Sequence, residues 1–333
     1  MITPSFALTA TERVLPNLAL DFTTASLDSR VTFTRTGNTA TVINSSGYIA
    51  PINANLPRFD YSPVTLACNG LLIEEARTNV LANSLIDGTN LTTQVVTTTA
   101  VAYTLSFYGT GNIVLSGTSS STQTGSGVYP SRKTYTFTPT AGVLTLTVSG
   151  VVQYAQLEAG AFSTSFIPTT TATARNADVA TMSSTNLSSW WNATEGALQM
   201  QYIRKSNAIA GKYPYAGIVL IDSANRFDMY QNSTVGESVL IKQAGATSFT
   251  ADFSLVAGNT VTKTVLAYKQ NSFAGSVNAT TVQTSVSGNV PSVSIFYIGA
   301  ANSTGFELNG WVQKINYWKQ RITNSETQAF SKT

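Results

Sequence analysis

The sequence predicts an all-β chain of antiparallel sandwiches, and three observations carry that expectation. Short runs alternate apolar residues with threonine and serine, the period of a half-buried strand. Gly, Pro and Asn turn signals separate these runs at intervals of roughly ten residues, the spacing of sandwiches and barrels. Helical periodicity is scarce, which argues against a βαβ fold.

The elements follow in chain order. Leu71 to Leu81 reads as one short helix or as a strand and a turn. Alternation begins clearly at Tyr103/Leu105/Phe107 and Ile113/Leu115. Tyr135 and Phe137 alternate with threonines, and Pro139 to Gly142 is a turn. Leu144, Leu146 and Val148 then alternate with Thr145 and Thr147, and Val152/Tyr154 open a third run, so this stretch reads as a meander or Greek-key segment. β-branched threonine suits the solvent face of such strands. Residues 168–174 read as a Thr-rich linker. Leu187 to Trp191 fits a single helical turn. Leu198/Met200/Tyr202, Ile218/Leu220 and Gln313/Ile315/Tyr317 continue the strand pattern, placing Trp311 and Trp318 on a final core strand. Thr323-Asn-Ser-Glu326 is a capping box for a terminal helix to about Phe330.

Charge divides the chain. Residues 1–85 hold five Arg and six acids, an expected N-terminal anchoring or oligomerisation β segment. Residues 86–175 hold only Asp87, Arg132, Lys133, Glu158 and Arg175, and residues 176–333 carry the rest. Two sandwiches are expected over 86–175 and 176–333. No internal repeat and no coiled-coil heptad is visible.

Composition excludes several functions. Of 333 residues only 11% are charged, against about 25% in ordinary soluble domains, while 50 are threonine. Histidine is absent, which removes His-based triads and His metal ligands. The single Cys68, in a turn before Asn69-Gly70, allows no internal disulfide or multi-Cys zinc site and has no histidine base. A net charge of +3 from scattered residues does not make a nucleic-acid surface. No apolar run reaches the roughly 18 residues that span a bilayer. The first twenty residues lack the layout of a cleaved signal peptide. No cofactor and no metal is expected.

Candidate motifs are few. Glu74 and Glu75 are adjacent, so on a strand they face opposite sides and cannot act on one bond. Pairing with Arg58 or Arg77 is the plainer reading. Asp222, Asp228 and Glu237 form the densest carboxylate set of the last unit, but their spacing matches no calcium loop. Gly109-Thr-Gly111 and Gly125-Ser-Gly127 complete no phosphate-binding pattern and read as turns. Tyr129 and Trp191 are the candidates for exposed rings on which a sugar could stack.

Pro57-Arg-Phe-Asp-Tyr-Ser-Pro-Val-Thr-Leu66 followed by Gly70-Leu-Leu-Ile-Glu-Glu-Ala-Arg-Thr-Asn79 resembles a motif of structural proteins of tailed bacteriophages. Phe33-Thr-Arg35 and Asn44 to Ile49 fit the same family. Tyr154 to Gly160, running into Thr164 to Pro168, looks like the closing strand of a carbohydrate-binding-module-like jelly roll. Leu308 to Tyr317, with Arg321 and Glu326, looks like the end of a concanavalin A/laminin-G-like sandwich. Ser62 departs from the usual Asp.

The resemblance implies a non-enzymatic virion protein, a short tail spike, tail fibre or tail-tip adhesin that touches host glycan. A capsid decoration protein without a ligand is the alternative, and a polysaccharide depolymerase a further one. Its implied partners are copies of itself as a homotrimer, other virion proteins and host surface glycan, with no nucleic acid or membrane. No catalytic residue carries over. Arg58, Asp60, Glu74, Glu75 and Arg77 are implied to form a buried or interfacial polar network.

Overall fold

A computed structural model describes residues 15–37, 39–206, 213–302 and 305–333. The chain is almost entirely β, in antiparallel sheets that pack as two sandwiches. Residues 1–14 of the expected N-terminal segment lie outside the described residues.

The larger sandwich has its centre in the strand Gly310–Trp318. One edge of that strand pairs with Glu195–Arg204. Its other edge is shared: Leu18–Asp21 pairs along residues 314–317, and Cys68–Ile73 along residues 310–312. Val261–Lys269, Phe273–Val277 and Gln283–Ser285 extend the sheet on one side and Phe59–Tyr61 on the other. The opposing seven-stranded sheet runs Thr32–Thr34, Val179–Ser183, Ile295–Ile298, Tyr215–Asp222, Asn225–Asn232, Gly236–Gln243 and Ala246–Asp252. The core between them mixes early residues (Leu18, Phe22, Phe33, Leu71) with late ones (Met200, Val219, Phe296, Ile315). Strands from residues 18–73 are thus built into the same two sheets as strands from residues 179–318.

The smaller sandwich packs Ser121–Thr124, Asn112–Gly117, Gly142–Ser149 and Gln94–Thr98 against Lys133–Phe137, Tyr103–Tyr108 and Gln153–Ala159. Leu105, Phe107, Ile113, Leu144 and Leu146 fill its core, and every second residue of Gly142–Ser149 from Val143 to Thr147 turns outward. The three runs read as a local meander do not pair with one another. Lys133–Phe137 and Gln153–Ala159 flank Tyr103–Tyr108 in one sheet, while Gly142–Ser149 lies in the other. Period-2 alternation marks the buried face of each strand but not the sheet it joins.

Three local expectations resolve. Leu71 to Leu81 is the end of strand Cys68–Ile73 followed by Arg77–Asn79, with no helix. Residues 168–174 are not a free linker: Thr169 bridges Ser84, and Thr173–Arg175 pairs with Arg77–Asn79. The terminal helix Asn324–Phe330 starts with Thr323 and Glu326 in a reciprocal capping box, and Phe330 stacks on Trp318 at 4.7 Å.

Gly70 shows how tightly the shared edge is built. Its φ is +120°, and a Cβ there would sit 2.4 Å from the Val312 carbonyl oxygen of the central strand. Gly70→Ala combines a strained backbone with an overpacked contact, each costing about 1–3 kcal/mol. Urea unfolding of this variant is expected to show a midpoint well below that of the parent chain.

Candidate functional site

Between the two sandwiches lies a buried ionic cluster. Arg58 is fully buried. Its guanidinium pairs with both oxygens of Asp178 and lies 2.8 Å from Glu74 Oε2. The same group donates to Ser165 Oγ at 2.7 Å. Arg35 reaches Asp178 at 3.4 Å, and Arg175 reaches Glu74 at 3.5 Å. Lys205 Nζ closes on Glu74 Oε1 at 2.8 Å. Burial works against the Glu74 carboxylate, but Lys205, Arg58 and Arg175 outweigh it and hold its pKa well below the ordinary range.

The residues implied as a polar network separate into three sets. Arg58 and Glu74 are in the cluster. Glu75 faces the other way, 2.5 Å from Arg77, and Arg77 lies over the Phe162 ring at 4.8 Å. Asp60 stands apart. Its carboxylate accepts from the Ile43 N–H at 2.7 Å and from the Trp311 indole Nε1–H at 3.0 Å. Burial pushes the Asp60 carboxyl up, against the pull of Lys205 and these two donors. Strand alternation at Glu74-Glu75 accounts for the split.

In front of the cluster opens a cleft of about 570 Å³. The strand Ala40–Ile43 forms one wall. Thr104, Tyr108, Thr134 and Thr136, on the outer face of the smaller sandwich's three-stranded sheet, form another. The loop from Ala161 to Phe166 closes a third side, and Lys205, Asn259 and Trp311 come from the larger sandwich. Trp311 is half-buried, with Lys205 Nζ 4.8 Å from its ring centroid. Arg132 donates to the Thr164 carbonyl oxygen and to Ser106 Oγ, both at 2.7 Å. The cleft thus offers apolar ring surface, hydroxyls and cations within one concavity, the mixture that holds a polar organic ligand.

Trp311 was expected in the core with Ile315 and Tyr317. The pairing of Gly310–Trp318 with Glu195–Arg204 shifts register between Gln201 and Tyr202, which leaves Gln313 as an extra residue. Val312 and Ile315 both face the core as a result, and the bulge turns Trp311 toward the cleft. Arg132 and Lys205 were not singled out either. The one sequence signal was the scarcity of charge around Arg132.

The two ring candidates fall elsewhere. Trp191 is not exposed as expected. It stacks on Tyr268 at 5.2 Å and on Tyr317 at 5.1 Å, with Phe227 against it, so its ring is committed to core packing. Tyr129 donates to the Gly47 carbonyl oxygen at 2.5 Å and packs on Tyr108 at 5.2 Å. It clamps the Ile43–Ile49 turn beside the cleft and does not line the cleft. The carboxylates of the last unit go to separate partners. Asp222 caps its own turn, Asp228 pairs with Arg226 at 2.7 Å, and Glu237 binds Arg204 and the Tyr202 hydroxyl. Cys68 is half-buried, and its thiol donates to the Phe22 carbonyl oxygen at 3.6 Å.

Removing Asp178 leaves Arg35, Arg58 and Arg175 short of one carboxylate in a buried site. Asp178→Ala is expected to destabilise by roughly 3–5 kcal/mol, read from chemical unfolding. Asp228 behaves oppositely. Burial raises its pKa from 3.8 to about 6, and one oxygen lacks a partner. A carboxyl raised in the folded state weakens the fold above that pKa, and the penalty disappears as pH falls from about 6 toward 4. Asp228→Asn is therefore expected to melt higher than the parent at pH 7.5, with the advantage shrinking by pH 5.

No protein-family model matches the chain, and no curated protein matches it. Among solved structures it is similar to the CBM40 domain of Ruminococcus gnavus IT-sialidase bound to α2,3-sialyllactose. That match has 12% identity over 44% of this chain and 88% of the other, with a TM-score of 0.37. The NanB sialidase of Streptococcus pneumoniae (K499G mutant) is 16% identical over 44% of this chain, with a TM-score of 0.38. A leech intramolecular trans-sialidase is 12% identical over 42% of this chain, with a TM-score of 0.36. The chain spans about a quarter of the length of each of these two enzymes.

Proposed function

We propose that the chain is a non-enzymatic structural protein on the surface of a phage particle, a short spike or tail-tip adhesin that binds host surface glycan in the cleft. The cleft is the observation that carries this reading. The half-buried Trp311 and Phe162 offer apolar ring surface to the C–H faces of a sugar, and Thr134, Thr136 and Asn259 offer hydrogen-bond partners for its hydroxyls. The resemblance of residues 57–79 to a tailed-phage motif supports the setting, because those residues build this place. Arg58 and Glu74 brace the floor, and Asp60 holds the Trp311 indole.

Binding without hydrolysis fits the carboxylates. Asp60 lines the cleft, and both of its oxygens already accept hydrogen bonds. Glycoside hydrolysis commonly needs two free carboxyl groups across the bond. Self-association into a trimer fits the outer face of the smaller sandwich, where Val95, Thr97, Val114, Val143 and Thr147 turn outward with no charge among them. That same face favours the second reading, a capsid decoration protein packed among its neighbours.

A glycan array probed with the full chain tests the first reading. Trp311→Ala should weaken binding of any glycan captured by about tenfold, the equivalent of ~1.4 kcal/mol, with an intact melting transition. A blank array, together with particle density for this chain spread over the capsid lattice, would replace adhesion by decoration.

A further inference from the structure

We infer that the ligand of the cleft is an acidic saccharide, one whose carboxylate sits between Arg132 and Lys205. This rests on the reading of the cleft as a glycan site and adds to it the charge of the sugar.

Positive charge exceeds negative charge around the cleft. Five cations surround it: Arg35, Arg58, Arg175 and Lys205 in the cluster behind the floor, and Arg132 in the wall. Four carboxylates oppose them: Glu74, Asp178, Asp60 and Glu158. None of the four is available to Arg132. Glu74 and Asp178 are shared among the cluster arginines and Lys205. Glu158 accepts from Gln156 and twice from Thr164. Asp60 is filled by Ile43 and Trp311.

Arg132 is the residue left uncancelled. Both of its hydrogen bonds end on neutral oxygens. Its Nε is buried and has no partner. A guanidinium fixed in this way presents its charge to the cleft without a carboxylate of the described residues to neutralise it. Lys205 reaches the same space from the other sandwich. It shares Glu74 with two arginines and keeps 19% of its side chain exposed.

A cleft with a surplus of one sign of charge attracts ligands of the opposite sign. Charge-assisted hydrogen bonds from guanidinium and ammonium to carboxylate are about twice as strong as neutral ones. A neutral sugar would satisfy the hydroxyls of the cleft and leave Arg132 without an anionic partner. A uronic or other sugar acid satisfies both demands, with its ring against Trp311 or Phe162 and its carboxylate on the cations.

The test probes one glycan array twice with the full chain, first as printed and then after carbodiimide amidation of every carboxyl group. Capture is expected on carboxylate-bearing saccharides only, with at least a tenfold loss after amidation. Lys205→Gln should weaken the carboxylated binders severalfold, and equal capture by this variant and the parent chain removes Lys205 from the assignment. Equal capture of neutral sugars, or capture that survives amidation, overturns the charge assignment and leaves the glycan reading standing. A blank array overturns both. An Asp/Glu-rich peptide that competes as well as the acidic saccharide overturns the assignment in favour of a protein carboxylate.

Discussion

Burying the Arg58 guanidinium is the constraint on which the junction of this molecule depends. An arginine with no solvent access needs its charge and its donors answered within the protein. Asp178, Glu74, Ser165 and the Thr41 carbonyl oxygen answer them, and they come from four separate parts of the chain. Each partner is then held by a further one: Asp178 takes Arg35 and the Glu74 N–H, and Glu74 takes Lys205 and Ser165. The strands that carry these groups meet where the two sandwiches join. Such a network contributes little net stability compared with a well-packed apolar core, and its strength is that wrong arrangements leave charges stranded.

The cleft is a by-product of that junction. Ser165 touches both the cluster and the cleft, and Lys205 links Glu74 to the face of Trp311. A second anchor, Asp60, fixes the Trp311 indole through its Nε1–H and ties it to the strand Ala40–Ile43. Because its supports are buried hydrogen bonds and ion pairs, the concavity is preorganised, which lowers the ordering cost of taking a ligand.

Much of the fold was legible because period-2 alternation is a local property. The strands around Leu105, Leu144 and Leu198 could be read from a few residues each, and so could the capping box of Thr323 and Glu326. The partition of Glu74 and Glu75 to opposite faces follows from the same local rule. What could not be read was distance. Asp178 lies 120 residues from Arg58 in sequence, and Trp311 depends on a one-residue bulge that alternation alone does not reveal. The exposure expected of Trp191 failed for a related reason. A tryptophan just beyond a short turn can face either way, and here Tyr268 and Tyr317 claimed it.

The shared edge of Gly310–Trp318 has a consequence for how the molecule is made. Leu18–Asp21 and Cys68–Ile73 have their pairing partners nearly three hundred and about two hundred and forty residues later. During synthesis at roughly 5–20 residues per second, these early strands wait many seconds with unpaired edges. The smaller sandwich, whose strands all fall between residues 94 and 159, has no such wait and can close while the ribosome is still working. The larger sandwich is sealed only by its last long strand. Early apolar strands such as Leu71 to Ile73 are therefore the segments most in need of a chaperone, or of the shorter wait that fast translation provides.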